Sequence, residues 1–152
     1  LPYVNDPVAR SVEVPVTADR LVIGESRGDY RDPAVRLSRL LDANLTIPLH
    51  ESDDSGVLAV KGRIGGVKVL AYSTDARVMG GSMTARGYRH VVEAIDTAVR
   101  EHGPVVGLWH TGGARLAEGP EALDGVGRVF ATMIRSSGKV PQISVGRCGT
   151  CH

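Results

Sequence analysis

Along the 152 residues the spacing of apolar positions changes period several times, and each change predicts an element. From Pro33, apolar residues recur at Val35, Leu37, Leu40 and Leu41 with Arg36 and Arg39 turned away, which predicts a short amphipathic helix ending before Asn44. The polar run HESDDSG over residues 50–56 reads as a loop. VLAVKGRI and VKVLAYST then flank Gly65 and Gly66, a two-residue glycine turn between β-rich runs, and predict a hairpin. From Tyr88 the period lengthens: Val91, Val92, Ile95, Ala98 and Val99 share one helical face, Asp96 and Arg100 form an exposed i,i+4 pair, and Gly103 caps the helix before Pro104. VVGLWH over residues 105–110 reads as a buried strand followed by a glycine turn. Pro120 opens a second helix with Leu123, Val126, Phe130, Met133 and Ile134 on one face, ending at Gly138, and QISV begins the next strand. Strand, glycine turn, helix, strand is a βαβ unit, so the body is expected to be α/β with right-handed crossovers.

Upstream of Pro33 the pattern is absent. Residues 1–32 are polar, with interspersed Pro and Asp, and read as an amino-terminal arm. The remaining length suffices for one core, not two. Eighteen basic against seventeen acidic side chains, evenly mixed, disfavour a nucleic-acid or polybasic membrane module. No apolar run reaches the roughly 20 residues of a spanning helix, and the expectation is a cytoplasmic protein. Nineteen glycines against only 4% aromatics favour tight turns and close backbone approaches over an aromatic-lined pocket. Backbone groups are therefore candidates for the chemistry.

Two glycine-rich turns carry that candidacy. DARVMGGSMTARG places Gly80 and Gly81 before the first long helix, and HTGGARLAEG places Gly112 and Gly113 after the buried strand. A helix start presents unpaired N–H groups, and glycine lets a ligand approach them without a Cβ, so such a turn holds a phosphate or stabilises an oxyanion; equally, the glycines serve only to make the turn. Neither turn fits the dinucleotide or P-loop pattern. Ser82, Ser136 and Ser137 lie in no nucleophile elbow, and His50, His90, His102 and His110 show no metal-ligand spacing. The tail CGTCH fits C-x-x-C-H, a haem-attachment pattern that also offers zinc ligands. With no export signal and no further ligand nearby, the expectation is that it holds neither, and that the protein uses no metal.

The run over residues 75–145, from DARVMGGSMTARG through GGARLAEG to PQISV, resembles the amino-terminal half of the carboxyltransferase (beta) subunits of biotin-dependent acyl-CoA carboxylases, of the acetyl- or propionyl-CoA type. RDPAVRLSRLLD and SGVLAVKGRIGGVKVLAYSTD are similar to that family's lead-in, so residues 33–145 are expected to be part of its N-domain, with 146–152 a divergent tail. The resemblance implies a crotonase-like spiral of ββα units, incomplete at its carboxyl end. It also implies an acyl-CoA substrate, and carboxybiotin on a partner carrier as the carboxyl donor. The implied partners are a biotin carboxylase and carboxyl carrier subunit, and other carboxyltransferase chains in a homo-oligomer.

Carboxyl transfer through a thioester enolate needs no side-chain triad, because the ureido group of biotin can take the α-proton while backbone donors hold the oxyanion. The resemblance places Gly112, Gly113 and Ala114 at the acyl-CoA site as candidate donors, with Gly80, Gly81 and Ser82 lining the same cleft. Arg115 is a candidate for the CoA phosphates or for a salt bridge with Glu118. After PQISV the family continues into another glycine turn, helix and second domain, whereas this sequence reads GRCGTCH. Exposed apolar surface, association with itself or another chain, and little carboxyl transfer by the chain alone are expected on that ground. Two other readings stay open: a different crotonase-like reaction on an acyl-CoA, such as decarboxylation, or a catalytically inactive assembly or regulatory subunit.

Overall fold

The computed structural model describes residues 28–43 and 46–147; most of the predicted arm and the CGTCH tail lie outside them. Helix α1 (Pro33–Leu40) leads into strands β1 (Ile47–Pro48), β2 (Val57–Ile64) and β3 (Val67–Thr74). A short strand β4 (Ser82–Met83) precedes helix α2 (Ala85–Glu101) and strand β5 (Val105–Trp109). A second short strand, β6 (Gly113–Ala114), precedes helix α3 (Pro120–Ser136) and strand β7 (Gln142–Gly146). The main sheet has the order β1-β2-β3-β5-β7, antiparallel through β3 and parallel from β3 to β7, so β5–α3–β7 is the expected βαβ unit and β3–α2–β5 is a second one. The hairpin register closes with Ile64 opposite Val67, and Gly65 and Gly66 both take positive φ, as a tight two-residue turn with the strands' own twist requires. Asp42 accepts both turn N–H groups, at 2.9 and 2.8 Å.

Alternation along the strands divides the core between the two faces of the sheet. Ala59, Leu70, Tyr72 and Val105 face α2 and α3, where Tyr88, Val91, Ala94, Ile95, Ala98 and Val129 complete one cluster. Val60, Val69, Ala71, Val106 and Leu108 face the other way and are covered by Leu37 and Leu41 from α1 and the turn after it. Gly107 lies under the phenol of Tyr72: a Cβ there would sit 2.4 Å from Tyr72 Oη. Gly125 has the same office between helices, since a Cβ would meet Tyr88 Cδ2 at 2.7 Å and α3 could not approach α2.

Four local expectations change. The cap of α2 is His102, in the left-handed region at φ 52°, and Gly103 follows it by donating to Ala98 O at 3.0 Å; proximity to Pro104 shifted the expected cap by one residue. Asp96 faces Arg135 of α3 at 3.6 Å while Arg100 donates to Thr97 Oγ1, so the pair formed is between helices and not along one. Arg36 is half-buried and donates to Leu108 O at 3.3 Å, because α1 lies on the sheet at an angle that brings this arginine to the end of β5. On α3 the small residues Ala122, Gly125, Thr132 and Ser136 join Val129 in the buried stripe, while Leu123, Phe130 and Ile134 are exposed. The close approach to Tyr88 selects the small-residue face, so of the expected apolar stripe only Val126 and Met133 pack against the core.

Candidate functional site

The two glycine-rich turns come together outside the main sheet. Ser82 pairs with Gly113 and Met83 with Ala114 in a parallel two-stranded ladder of β4 and β6, and Arg115 N–H continues it to Met83 O at 2.9 Å. Gly81 O accepts from Gly112 N–H at 3.2 Å and from the Thr111 hydroxyl at 2.7 Å. Thr111 Oγ1 in turn accepts from Gly113 N–H at 3.0 Å. Gly81 is obligatory: its φ is +81° and a Cβ would stand 2.6 Å from His110 O. Gly112 is nearly as confined, with Gly80 O at 3.0 Å from the place of a Cβ. Arg115 locks the junction by donating to Ser82 Oγ (3.4 Å) and Ser82 O (3.2 Å), and lies 4.0 Å from Glu118. All seven residues singled out from sequence therefore belong to one junction.

The expected way in which they would act is narrowed. Neither pair of glycines begins a helix: β4 and Thr84 intervene before α2, and β6 with a single 3₁₀ turn intervenes before α3. In the first turn of α2 the N–H groups of Ala85 and Gly87 are already taken, by Glu118 Oε2 at 2.8 Å and Thr84 Oγ1 at 3.0 Å; α3 opens on Pro120, which has no N–H, after Gly119, which gives no side-chain cap. Gly112 and Gly113 N–H groups also have internal acceptors. The junction keeps bare backbone instead. At Gly80 (φ +66°) and Gly113 (φ +98°) the place of a Cβ has nothing within 4 Å, so a ligand can lie directly against both turns.

Sequence reasoning missed Thr111, whose hydroxyl links both turns, and Met79, which takes φ 47° ahead of Gly80 and Gly81 and is 71% exposed. A left-handed, exposed methionine at the lip of the junction is backbone strain held in place by its surroundings. No spacing rule signals either residue; the Thr between His110 and two glycines was the only hint. His110 N–H is fixed by Thr74 Oγ1 at 2.7 Å. Burial and then the charges of Arg36, Arg147 and Arg31 hold its imidazole below the usual histidine range. Since the folded value lies below the unfolded one, the neutral ring favours the fold fully above the ordinary imidazole pKa, and that contribution is lost as pH falls from there through the lowered folded value.

The carboxyl transferase domain model matches residues 38–151. The chain belongs to the carboxyl transferase domain family. It is 60% identical over 121 residues to the propionyl-CoA carboxylase beta chain of Rhodococcus erythropolis, covering 80% of this chain and 25% of that protein. It is 54% identical over 123 residues to the biotin-dependent acetyl-/propionyl-coenzyme A carboxylase beta6 subunit of Mycobacterium tuberculosis, covering 81% and 26%. The chain thus spans about a quarter of the length of these curated relatives. Among solved structures, the hexameric transcarboxylase 12S with methylmalonyl-coenzyme A bound superposes with a TM-score of 0.68 at 33% identity, over 73% of this chain and 25% of that one. A malonate decarboxylase hetero-dimer of Pseudomonas shares the fold alone, at 23% identity and TM-score 0.66 over 74% of this chain and 50% of that one. The α/β architecture is the crotonase-like one of the carboxyltransferases. Among the described residues no helix is long and apolar enough to cross a membrane.

Proposed function

We propose that this chain supplies the acyl-CoA-binding junction of a carboxyltransferase that moves a carboxyl group from carboxybiotin to the α-carbon of acetyl- or propionyl-CoA. The observation that carries this reading is the pairing of β4 with β6, which brings the Gly80–Gly81 turn against the Gly112–Gly113 turn, with the place of a Cβ at Gly80 and at Gly113 open to an approaching thioester. Residues 33–145 then act as part of the N-domain, working in the cytoplasm with a biotin carboxylase and carrier subunit and with further carboxyltransferase chains. When bound, carboxybiotin supplies the carboxyl group. The chain's own part is to hold the acyl-CoA: Gly80, Gly81 and Ser82 wall one side, and residues 112–114 lie along the other. Gly112 and Gly113 N–H groups serve by fixing the turn. Ala114 remains the candidate donor toward an enolate oxygen, which preorganised donors stabilise without reorganisation. Arg115 acts by clamping Ser82; contact with the CoA phosphates would require it to leave that position.

Calorimetric titration of propionyl-CoA, acetyl-CoA and free CoA into the wild type and Gly113→Val tests the reading. A side chain at Gly113 enters open space, so the thioesters should bind the wild type and bind the variant at least tenfold more weakly, with circular dichroism confirming the fold. Equal heats from both proteins would remove this turn from the site.

A further inference from the structure

His50, Asp53 and His90 were unremarkable in spacing, yet the fold brings them together outside the set of junction residues, with one ligand-type atom from each lying within 4.8 Å of the others. We propose that these three side chains form a divalent transition-metal site of zinc type, which staples the loop before β2 to helix α2. Several features of the cluster support a site with two nitrogens and one oxygen. The imidazoles of His50 and His90 are stacked with centroids 3.5 Å apart and planes 7° from parallel. An ion bound by an imidazole lies in the plane of that ring, so one of the two rings turns out of the stack when both ligate. His50 has a fixed tautomer: Ala59 N–H donates to its Nε2 at 3.3 Å, so Nδ1 carries the proton and donates to Glu51 O at 2.8 Å. A carbonyl receiving the second ring N–H is the usual support of a metal-bound histidine. Asp53 is anchored the same way. Its Oδ1 accepts from Ser55 N–H at 3.0 Å and its Oδ2 faces His90 Nε2 at 2.8 Å.

Two nitrogens and a carboxylate oxygen suit Zn²⁺ or Co²⁺, with solvent free to take the fourth position, since the side chains of His90 and Asp53 are 13% and 20% exposed. Ligands 2.0–2.1 Å from a tetrahedral ion stand about 3.4 Å apart, so no pair here needs to close by more than about 1.4 Å. Binding replaces the Nε2 proton that His90 shares with Asp53; in a neutral ring it moves to Nδ1, and in a cationic ring it is released. Binding also gives up the Ala59 N–H bond to His50, the longest contact in the cluster. The ion would brace more than the loop. Ser55 O accepts from the Thr84 hydroxyl at 3.2 Å, and Thr84 caps α2 directly after β4, so the staple reaches the glycine junction through one residue.

The test uses the full chain with Cys148→Ser, Cys151→Ser and His152→Ala, which removes the only other thiol and imidazole ligand set near a terminus. Co²⁺ titration should show one equivalent bound with visible d–d absorption of a low-coordinate ion, displaced by Zn²⁺, and Zn²⁺ should raise Tm. Asp53→Asn, which keeps the side chain's shape, and His90→Ala should each weaken Zn²⁺ binding tenfold or more and abolish the Tm rise. Should His90→Ala fail to fold, Asp53→Asn alone decides the matter. No saturable binding up to millimolar Zn²⁺, or undiminished binding by Asp53→Asn, would overturn the proposal.

Discussion

The hairpin turn and the β4–β6 junction are both built on paired glycines, and they use glycine for different reasons. At Gly65 and Gly66 a Cβ would meet nothing within 4 Å, so the requirement is only a positive φ. At Gly81 and Gly112 the requirement is space, because two stretches of backbone pass within hydrogen-bonding range and a Cβ would collide with a carbonyl. Between these extremes stand Gly80 and Gly113, inside the junction but facing open space. The turn that only reverses the chain leaves both of its glycines free; the junction crowds Gly81 and Gly112 against its own backbone and leaves Gly80 and Gly113 bare. That difference separates the turn that only reverses the chain from the turns proposed as the site.

The comparison is broken most severely at Gly81. Gly81→Ala combines left-handed strain with a clash against His110 O, and should cost about 3 kcal/mol or more in urea denaturation, or prevent folding altogether. A loss as small as that of a hairpin variant would mean the junction is not tightly built. Gly113→Ala meets no atom and should cost only the backbone term, about 1 kcal/mol, while weakening acyl-CoA binding. Met79→Gly runs the other way. Removing a left-handed side chain should stabilise the chain by about 0.5–1 kcal/mol, read as a rise in the denaturation midpoint, and no rise would show that Met79 has compensating contacts. The smallest change is expected at Gly65→Asn, within about 0.5 kcal/mol, because asparagine tolerates positive φ and nothing stands near it.

Local chemistry made the larger elements legible. Apolar periodicity located α1, the hairpin, α2 and α3, because each buries one face and so imprints its own period, while a continuous apolar run located β5, which is buried on both faces, and QISV located β7 although its Ile143 and Val145 are exposed. The short β4 and β6 left no such imprint: two residues cannot show a period, and their partners lie about thirty residues apart in the chain. The buried face of α3 was equally hidden, since Gly125 packs by what it lacks and the pattern of large residues pointed to the outward stripe of Leu123, Phe130 and Ile134. For the site, motif resemblance singled out the residues that meet, from Gly80 to Arg115. The internal use of the Gly112 and Gly113 N–H groups, the linking role of Thr111 and the meeting of His50 with His90 depend on tertiary approach, and one-dimensional spacing carries no trace of it.

The central claim is that the two glycine turns form one acyl-CoA surface. Amide NMR of the labelled chain titrated with propionyl-CoA tests it most directly. Resonances of residues 80–82 and 112–115 should shift together along one saturation curve, while those of Gly65 and Gly66 stay in place. Shifts confined to one turn, or two turns saturating at different concentrations, would contradict the account.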